Sequence, residues 1–452
     1  MKNKFISVSE YILSLFLLIL YLINYQVRQN SFLFLAVGSV LFVSLFYVCY
    51  QKVKNFPIAC IMMLCHTWQI SWFNIFGQPS VALQIPWFYV IGAILFLYAL
   101  YNVRSFYTKP VSLFFLATLV TVIVTAVIPL LNSPSKAEGL KEYIMIMFYV
   151  VLIFVAFMLS ETANEGLRKH IFDSYVWCVF ISCFFLVFQS VVFYVSGIKL
   201  FYHSEGVYFG NATVTSGLLM GDLSSATIML GSGVWICLSR IEQRKKLLLN
   251  TLVIVVIIIG MALTSRRTST VSLLLTLAIY TMVHYKQQMK KVLAVGAFFI
   301  LGLIMLYFIQ YSRPVDDISL YLYDNERFDN YIRVFQTLRK HPLGVGYDSV
   351  YSAAFMLDGI QPHNTFLRWL FMGGPLLAVP LTVLPLYTLF LAYKKKLTTE
   401  FWIILYSLLA ANFIPDILTA RFFIIPCVLV FILPRIDNKK EVSHLKHNGA
   451  AK

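Results

Sequence analysis

HPLGVGYDSVYSAAFMLDGIQPHNTFLRWLFMGG, residues 341–374, sets a glycine-bearing turn and then a His-Asn pair directly before a long apolar run. Crossing a bilayer takes about 20 apolar residues in a helix, and the run near 366–393 is long enough. The stretch therefore places polar, titratable groups at a membrane surface. Working outward in both directions, fourteen such runs can be drawn between residues 11 and 434, several of them short or merging. Twelve to fourteen transmembrane helices are expected. Period-two alternation is absent, which argues against a membrane β-barrel. The expected fold is an all-α polytopic membrane helix bundle, one integral membrane domain over residues 1–452.

Composition agrees. Of 452 residues, 60% are hydrophobic and 12% charged, whereas soluble domains carry roughly 25% charge. Basic residues collect in cytoplasmic loops. With Lys2 and Lys4 inside and sides alternating at each span, the inside carries +15 and the outside +1, which accounts for the net +16. Basicity then reflects topology and anionic lipid, and nucleic acid is not an expected partner. The first apolar run lacks a small-x-small cleavage site and reads as an uncleaved helix. The seven cysteines lie in or beside apolar segments without CxxC or Cys/His spacing, so packing rather than metal binding is expected.

Two external loops exceed simple turns, 198–222 and 312–362; a cytoplasmic tail follows at 435–452. Within the larger loop, residues 326–340 place Phe328, Tyr331, Ile332, Phe335 and Leu338 on one helical face. Such a helix would lie along the membrane or cap the bundle, with Asp329 one turn before Arg333 and able to pair with it. The formal charges can all be placed in loops or at span ends. Ion-coupled transporters need ionisable groups at depth, so this placement disfavours transport.

Candidate chemistry sits at the outer ends of spans. A helix N-terminus beside His363 disfavours the imidazolium and suits a proton-accepting ring; a polar capping pair with Asn364 is the other reading. Arg266 and Arg267, in LTSRRTSTVSLLL (263–275), run against the positive-inside trend. Guanidinium forks hold phosphate oxygens, and snorkelling at a helix end is the alternative. Arg421 shares that ambiguity, while the position of Arg368, one turn past His363, favours a structural contact. Asp316-Asp317 reads as a solvated turn, and His203 and Glu205 as loop residues that could line a site or meet water. No Walker loop, GxSxG or zinc spacing occurs, so energy has to come from an activated lipid donor or a gradient.

In this order, TSRRTS, ERFDNY, HPLGVGYDS, HNTFLRWLFMGG and TARFFIIP resemble the O-antigen polymerase/ligase family of bacterial polysaccharide glycosyltransferases, over about residues 206–434. The resemblance implies a metal-independent, cofactor-free inverting enzyme facing the periplasm or cell exterior from the inner (plasma) membrane, with both termini cytoplasmic. Its donor would be a glycan on undecaprenyl pyrophosphate. Arg266 and Arg327 fall on the family arginines, which would grip the pyrophosphate and stabilise leaving-group charge. His363 falls on the base that would deprotonate the acceptor hydroxyl. Arg267, Arg333, Asn364 and Arg421 are the further substrate-binding candidates; membrane lipids, a chain-length regulator and a flippase are the further partners.

The external loop is short and the second glycine after HN precedes Pro375, which favours a polymerase over a ligase moving polymer to lipid A core. A flippase or transporter for lipid-linked sugars predicts inverted repeats and polar groups at mid-depth, which the sequence does not display.

Overall fold

The computed structural model describes residues 2–27, 31–71, 73–77, 85–102, 113–160, 163–198, 200, 208–209, 212–213, 223–264, 267–284, 287–312, 325–359, 361–414 and 416–435. In hydrocarbon every backbone polar group has to be satisfied within its own segment, so apolar runs become helices. In chain order these are α1 (Lys2–Val27), α2 (Phe32–Val53), α3 (Phe56–Trp68), α4 (Trp87–Tyr101), α5 (Leu113–Thr125), α6 (Val127–Asn132), α7 (Lys136–Met158), α8 (Glu165–Ser196), α9 (Leu223–Glu242) and α10 (Leu247–Leu263). Then follow α11 (Arg267–His284), α12 (Gln288–Ser312), α13 (Asn325–Lys340), α14 (Ser349–Ala353), α15 (Thr365–Lys395), α16 (Thr398–Ala411) and α17 (Ile424–Ile432). Among the described residues the strands are one two-residue hairpin, β1 (Tyr208–Phe209) with β2 (Ala212–Thr213). Among the described residues six helical spans, one of them α5 with α6, are long and apolar enough to cross a membrane, and seven shorter apolar helices accompany them. The protein is a polytopic all-α membrane protein.

Outward-facing apolar side chains such as Phe32, Leu97, Leu248 and Val379 stay exposed, as suits a lipid-facing surface. Inward, Trp235 of α9 stacks on Trp402 of α16 at 5.4 Å, and Tyr280 of α11 meets both edge-on. That cluster joins the ends of α9 and α11 to the start of α16. The start of α11 therefore lies with the end of α16. There Thr365, opening α15, donates to the Ile414 carbonyl and accepts from Ile417 N–H, both at 3.1 Å. His363 and the heads of α11 and α15 thus share one face. On the opposite, basic face, Arg168 pairs with Glu400 at 2.6 Å and Lys395 Nζ donates to the carbonyls of Val430, Phe431 and Leu433.

The placement of every charge in a loop or at a span end fails at Glu10. α1 begins at Lys2, so the span Phe5–Tyr25 takes Glu10 in, about 8 Å along the helix from its start. The carboxylate is fully buried; it accepts from Lys52 at 2.5 Å and from Ser174 at 2.6 Å, and lies 3.0 Å from His66 Nε2. Partners from α2, α3 and α8 make the burial tolerable. Glu10 sits in the first third of that span rather than at mid-depth, where ion-coupled transport needs its ionisable groups.

Candidate functional site

A break in α15 organises the His363 face. Gly374 takes φ 63°, ψ −174° inside the helix, and Pro375 follows. Proline has no N–H, so the Phe371 carbonyl loses its helical donor. The HPLGVGY turn supplies replacements: Val345 N–H donates to the Phe371 carbonyl and Gly346 N–H to the Met372 carbonyl, both at 3.0 Å. Contact is backbone to backbone, and glycine is what permits it. A Cβ on Gly344 (φ 81°) would lie 2.2 Å from the Met372 oxygen, and one on Gly374 would lie 2.3 Å from the Pro342 oxygen.

The turn is fastened on its far side as well. Asp348 caps α14, accepting from Val350 and Tyr351 N–H at 3.0 Å and from Ser135 N–H at 2.9 Å. The Tyr351 N–H above all, with those of Ser135 and Val350, holds its carboxylate below the usual aspartate range. Tyr347 N–H donates to Ser133 Oγ at 2.7 Å.

His363 is half-buried and directly precedes the cap of α15. Asn364 is that cap: its Oδ1 accepts from Leu367 N–H at 3.0 Å, and its Nδ2 donates to Asn412 Oδ1 at 3.4 Å. Its side chain is thus engaged in capping. The His363 carbonyl accepts from Tyr331 Oη of α13 at 3.2 Å, which holds the loop helix against the head of α15.

Beneath His363 lies a charge network that the sequence left hidden. Arg368, 4% exposed, donates through Nε to Gln361 at 2.9 Å, through Nη1 to Asp416 at 3.0 Å and through Nη2 to Glu142 at 2.7 Å. Gln361 passes the chain on to Ser352 at 2.8 Å. Two carboxylates share one guanidinium, and Glu142 Oε2 is buried with no hydrogen-bond partner. Burial of Asp416, together with the neighbouring Glu142 charge, outweighs Arg368 and raises its carboxyl to about 6. The expectation that Arg368 makes a structural contact is met. Glu142 and Asp416 were missed, because nothing local in KEYIM or IPDIL announces partners 226 and 48 residues away.

The predicted arginines are placed unevenly. Arg266 lies outside the described residues, as do Asp316, Asp317, His203 and Glu205. Arg267 opens α11 on the His363 face, and Arg327 stands in α13 one turn before Tyr331, with both side chains outside the described set. Arg333 is exposed, and among the described residues no ion pair joins it to Asp329. Arg421 stands 5.0 Å over the Tyr89 ring, and its Nε is buried without a hydrogen-bond partner. Its segment adjoins the site, since Asp416 and Ile417 bind Arg368 and Thr365, while its own guanidinium is turned to Tyr89.

The loop helix buries a different face from the one the apolar pattern marks. Asn330, Val334 and Thr337 turn inward, while Phe328, Ile332 and Phe335 stay more than half exposed. Val334 packs with Val345, Met356 and Phe371, and Asn330 Oδ1 accepts from Leu357 N–H at 2.8 Å. Of the apolar face, Tyr331 and Leu338 also reach the bundle, the first through the His363 carbonyl and the second against the Val334 cluster.

All seven cysteines are free and buried. Sequence spacing gave no metal set, yet folding brings the donor atoms of Glu10, Cys49 and His66 within 4.8 Å of one another. This group lies toward the basic face beside Lys52, which already neutralises Glu10, and it is remote from His363.

Residues 252–382 match a protein-family model described as O-antigen ligase, which bears out the resemblance read from the motifs. That span contains Arg266, Arg267, Arg327, Arg333, His363 and Asn364, and leaves Arg421 outside. No curated protein matches the chain. The match supports a glycosyltransferase-type membrane enzyme acting on lipid-linked glycans.

Proposed function

We propose that this protein, whose residues 252–382 match a family model described as O-antigen ligase, joins undecaprenyl-pyrophosphate-linked repeat units into O-antigen, capsule or exopolysaccharide. The site would face the periplasm or cell exterior from the inner (plasma) membrane, with both termini in the cytoplasm. The whole chain would act as one membrane domain, the 312–362 loop covering the site and the 435–452 tail lying inside.

His363 takes the proton of the acceptor sugar hydroxyl. The oxygen so activated forms a bond to the anomeric carbon of the donor glycan. The bond from that carbon to the pyrophosphate oxygen breaks on the opposite side, and configuration inverts. The electron pair leaves with undecaprenyl pyrophosphate, where Arg266 and Arg327 offset its charge. Arg267, Arg333 and Arg421 extend the anionic grip, and Asn364 fixes the loop that carries the base. A flippase would supply the donor and a chain-length regulator would limit the product.

The observation that carries this reading is the bond from Tyr331 to the His363 carbonyl. It ties the helix bearing Arg327 to the segment bearing the base, inside the stretch that matches the family. Ligation to lipid A core uses the same donor chemistry with another acceptor. The glycan profile of a deletion strain separates the two. Loss of the polymerase leaves single repeat units on the final acceptor; loss of a ligase strands long polymer on the undecaprenyl carrier.

A further inference from the structure

On the basic face, opposite His363, a cavity of about 960 Å³ opens between α8, the end of α9 and the start of α10. Its rim carries Arg168, Lys169, Arg240, Lys245 and Lys246. Two of these cations are already satisfied. Arg168 is held by Glu400 and Glu165, and Arg240 by Asp173 at 2.6 Å. Lys169, Lys245 and Lys246 are exposed, and among the described residues no carboxylate pairs with them. Even with Glu400 counted, five cations face three carboxylates.

Below the rim the lining changes character. Phe172, Trp177 and Phe180 of α8 form one wall, with Ile236 and Val253 opposite. From Arg168 to Phe180 is twelve residues, about 18 Å along the helix. A cationic mouth over an apolar slot of that depth is matched by an anion that carries a hydrocarbon chain. The cationic rim by itself follows from the charge bias of cytoplasmic loops; that bias does not hollow out an apolar chamber beneath it.

We propose that this cavity binds an anionic phospholipid of the basic-face leaflet, its phosphate among Lys169, Lys245 and Lys246 and one acyl chain along Phe172 to Phe180. Basic pockets between transmembrane helices on the cytoplasmic side hold acidic headgroups by this chemistry. The site is independent of glycosyl transfer and stands or falls without it.

The test uses the full chain purified in neutral detergent, with the thermal unfolding midpoint followed as lipid is added. Dioleoyl phosphatidylglycerol should stabilise the protein saturably, whereas dioleoyl phosphatidylcholine and inorganic phosphate should not. Replacing Lys169, Lys245 and Lys246 by Gln together should weaken the phosphatidylglycerol response about fivefold per lysine, on the order of a hundredfold in all. The pair Lys394→Gln and Lys396→Gln, outside the cavity on the same face, should leave it nearly unchanged. Leu249→Trp, at the exposed edge of the lining, should obstruct the acyl chain and also abolish the response. Equal stabilisation by phosphatidylcholine overturns the proposal, as does an equal effect of inorganic phosphate alone. Equal weakening by the triple and the control pair overturns it too.

Discussion

Replacing Arg368 by Met should destabilise the protein by about 3–5 kcal/mol, the range for removing one partner of a buried ion pair. The structure sets the value toward the upper end. The guanidinium makes three hydrogen bonds, to Gln361, Asp416 and Glu142. Without it Asp416, 2% exposed, keeps the Leu418 N–H. Glu142 keeps no partner, since its other oxygen already lacks one. Methionine fills the apolar stem of arginine, so the loss is electrostatic rather than a cavity. At about 1.4 kcal/mol per tenfold change, the folded-to-unfolded ratio falls about a hundred- to a few thousand-fold. The assay is thermal unfolding of the purified variant in detergent, with exposed Arg333→Met as the control that should not move. Adding Asp416→Asn to Arg368→Met should recover part of the loss by removing one stranded charge. A midpoint for Arg368→Met equal to wild type would refute the reasoning, because it would mean that the network contributes nothing to the fold.

Three further outcomes are expected. Asp416, raised to about 6 by burial, binds more protons folded than unfolded between about pH 4 and 6. Its contribution to stability is therefore fully present below the unfolded value and is lost as pH rises through 6. Asp416→Asn should flatten that part of the stability-against-pH curve. Gly344→Ala forces a Cβ onto the Met372 oxygen at positive φ. It should cost at least about 1–2 kcal/mol and reduce product formation, seen as polymer yield at matched protein level, by shifting the turn that fills the break in α15. Arg266→Lys should cut polymer yield sharply, since a point charge does not reproduce a bidentate fork; wild-type yield would transfer the role to Arg267.

The fold was legible because apolar length is a direct constraint in lipid. Runs such as 366–393 can only be helices there, and the Gly-x-Gly turn with the HN pair marked where the polar groups gather. What the sequence could not give depends on partners distant along the chain. Arg368 meets Glu142 across 226 residues, and Glu10 meets His66 across 56 and Ser174 across 164. Each of those charges reads alone as a span-end residue, and only packing shows it buried and paired. At the loop helix the tertiary contact comes from residues the apolar pattern does not mark: Phe328, Ile332 and Phe335 stay exposed, and Asn330, Val334 and Thr337 turn inward.

The most direct measurement is polymer formation from lipid-linked repeat units in vesicles that hold either the wild-type protein or His363→Ala at equal abundance. The account predicts chains of many repeats from wild type and unextended single units from the variant. Chains of normal length from His363→Ala would contradict it.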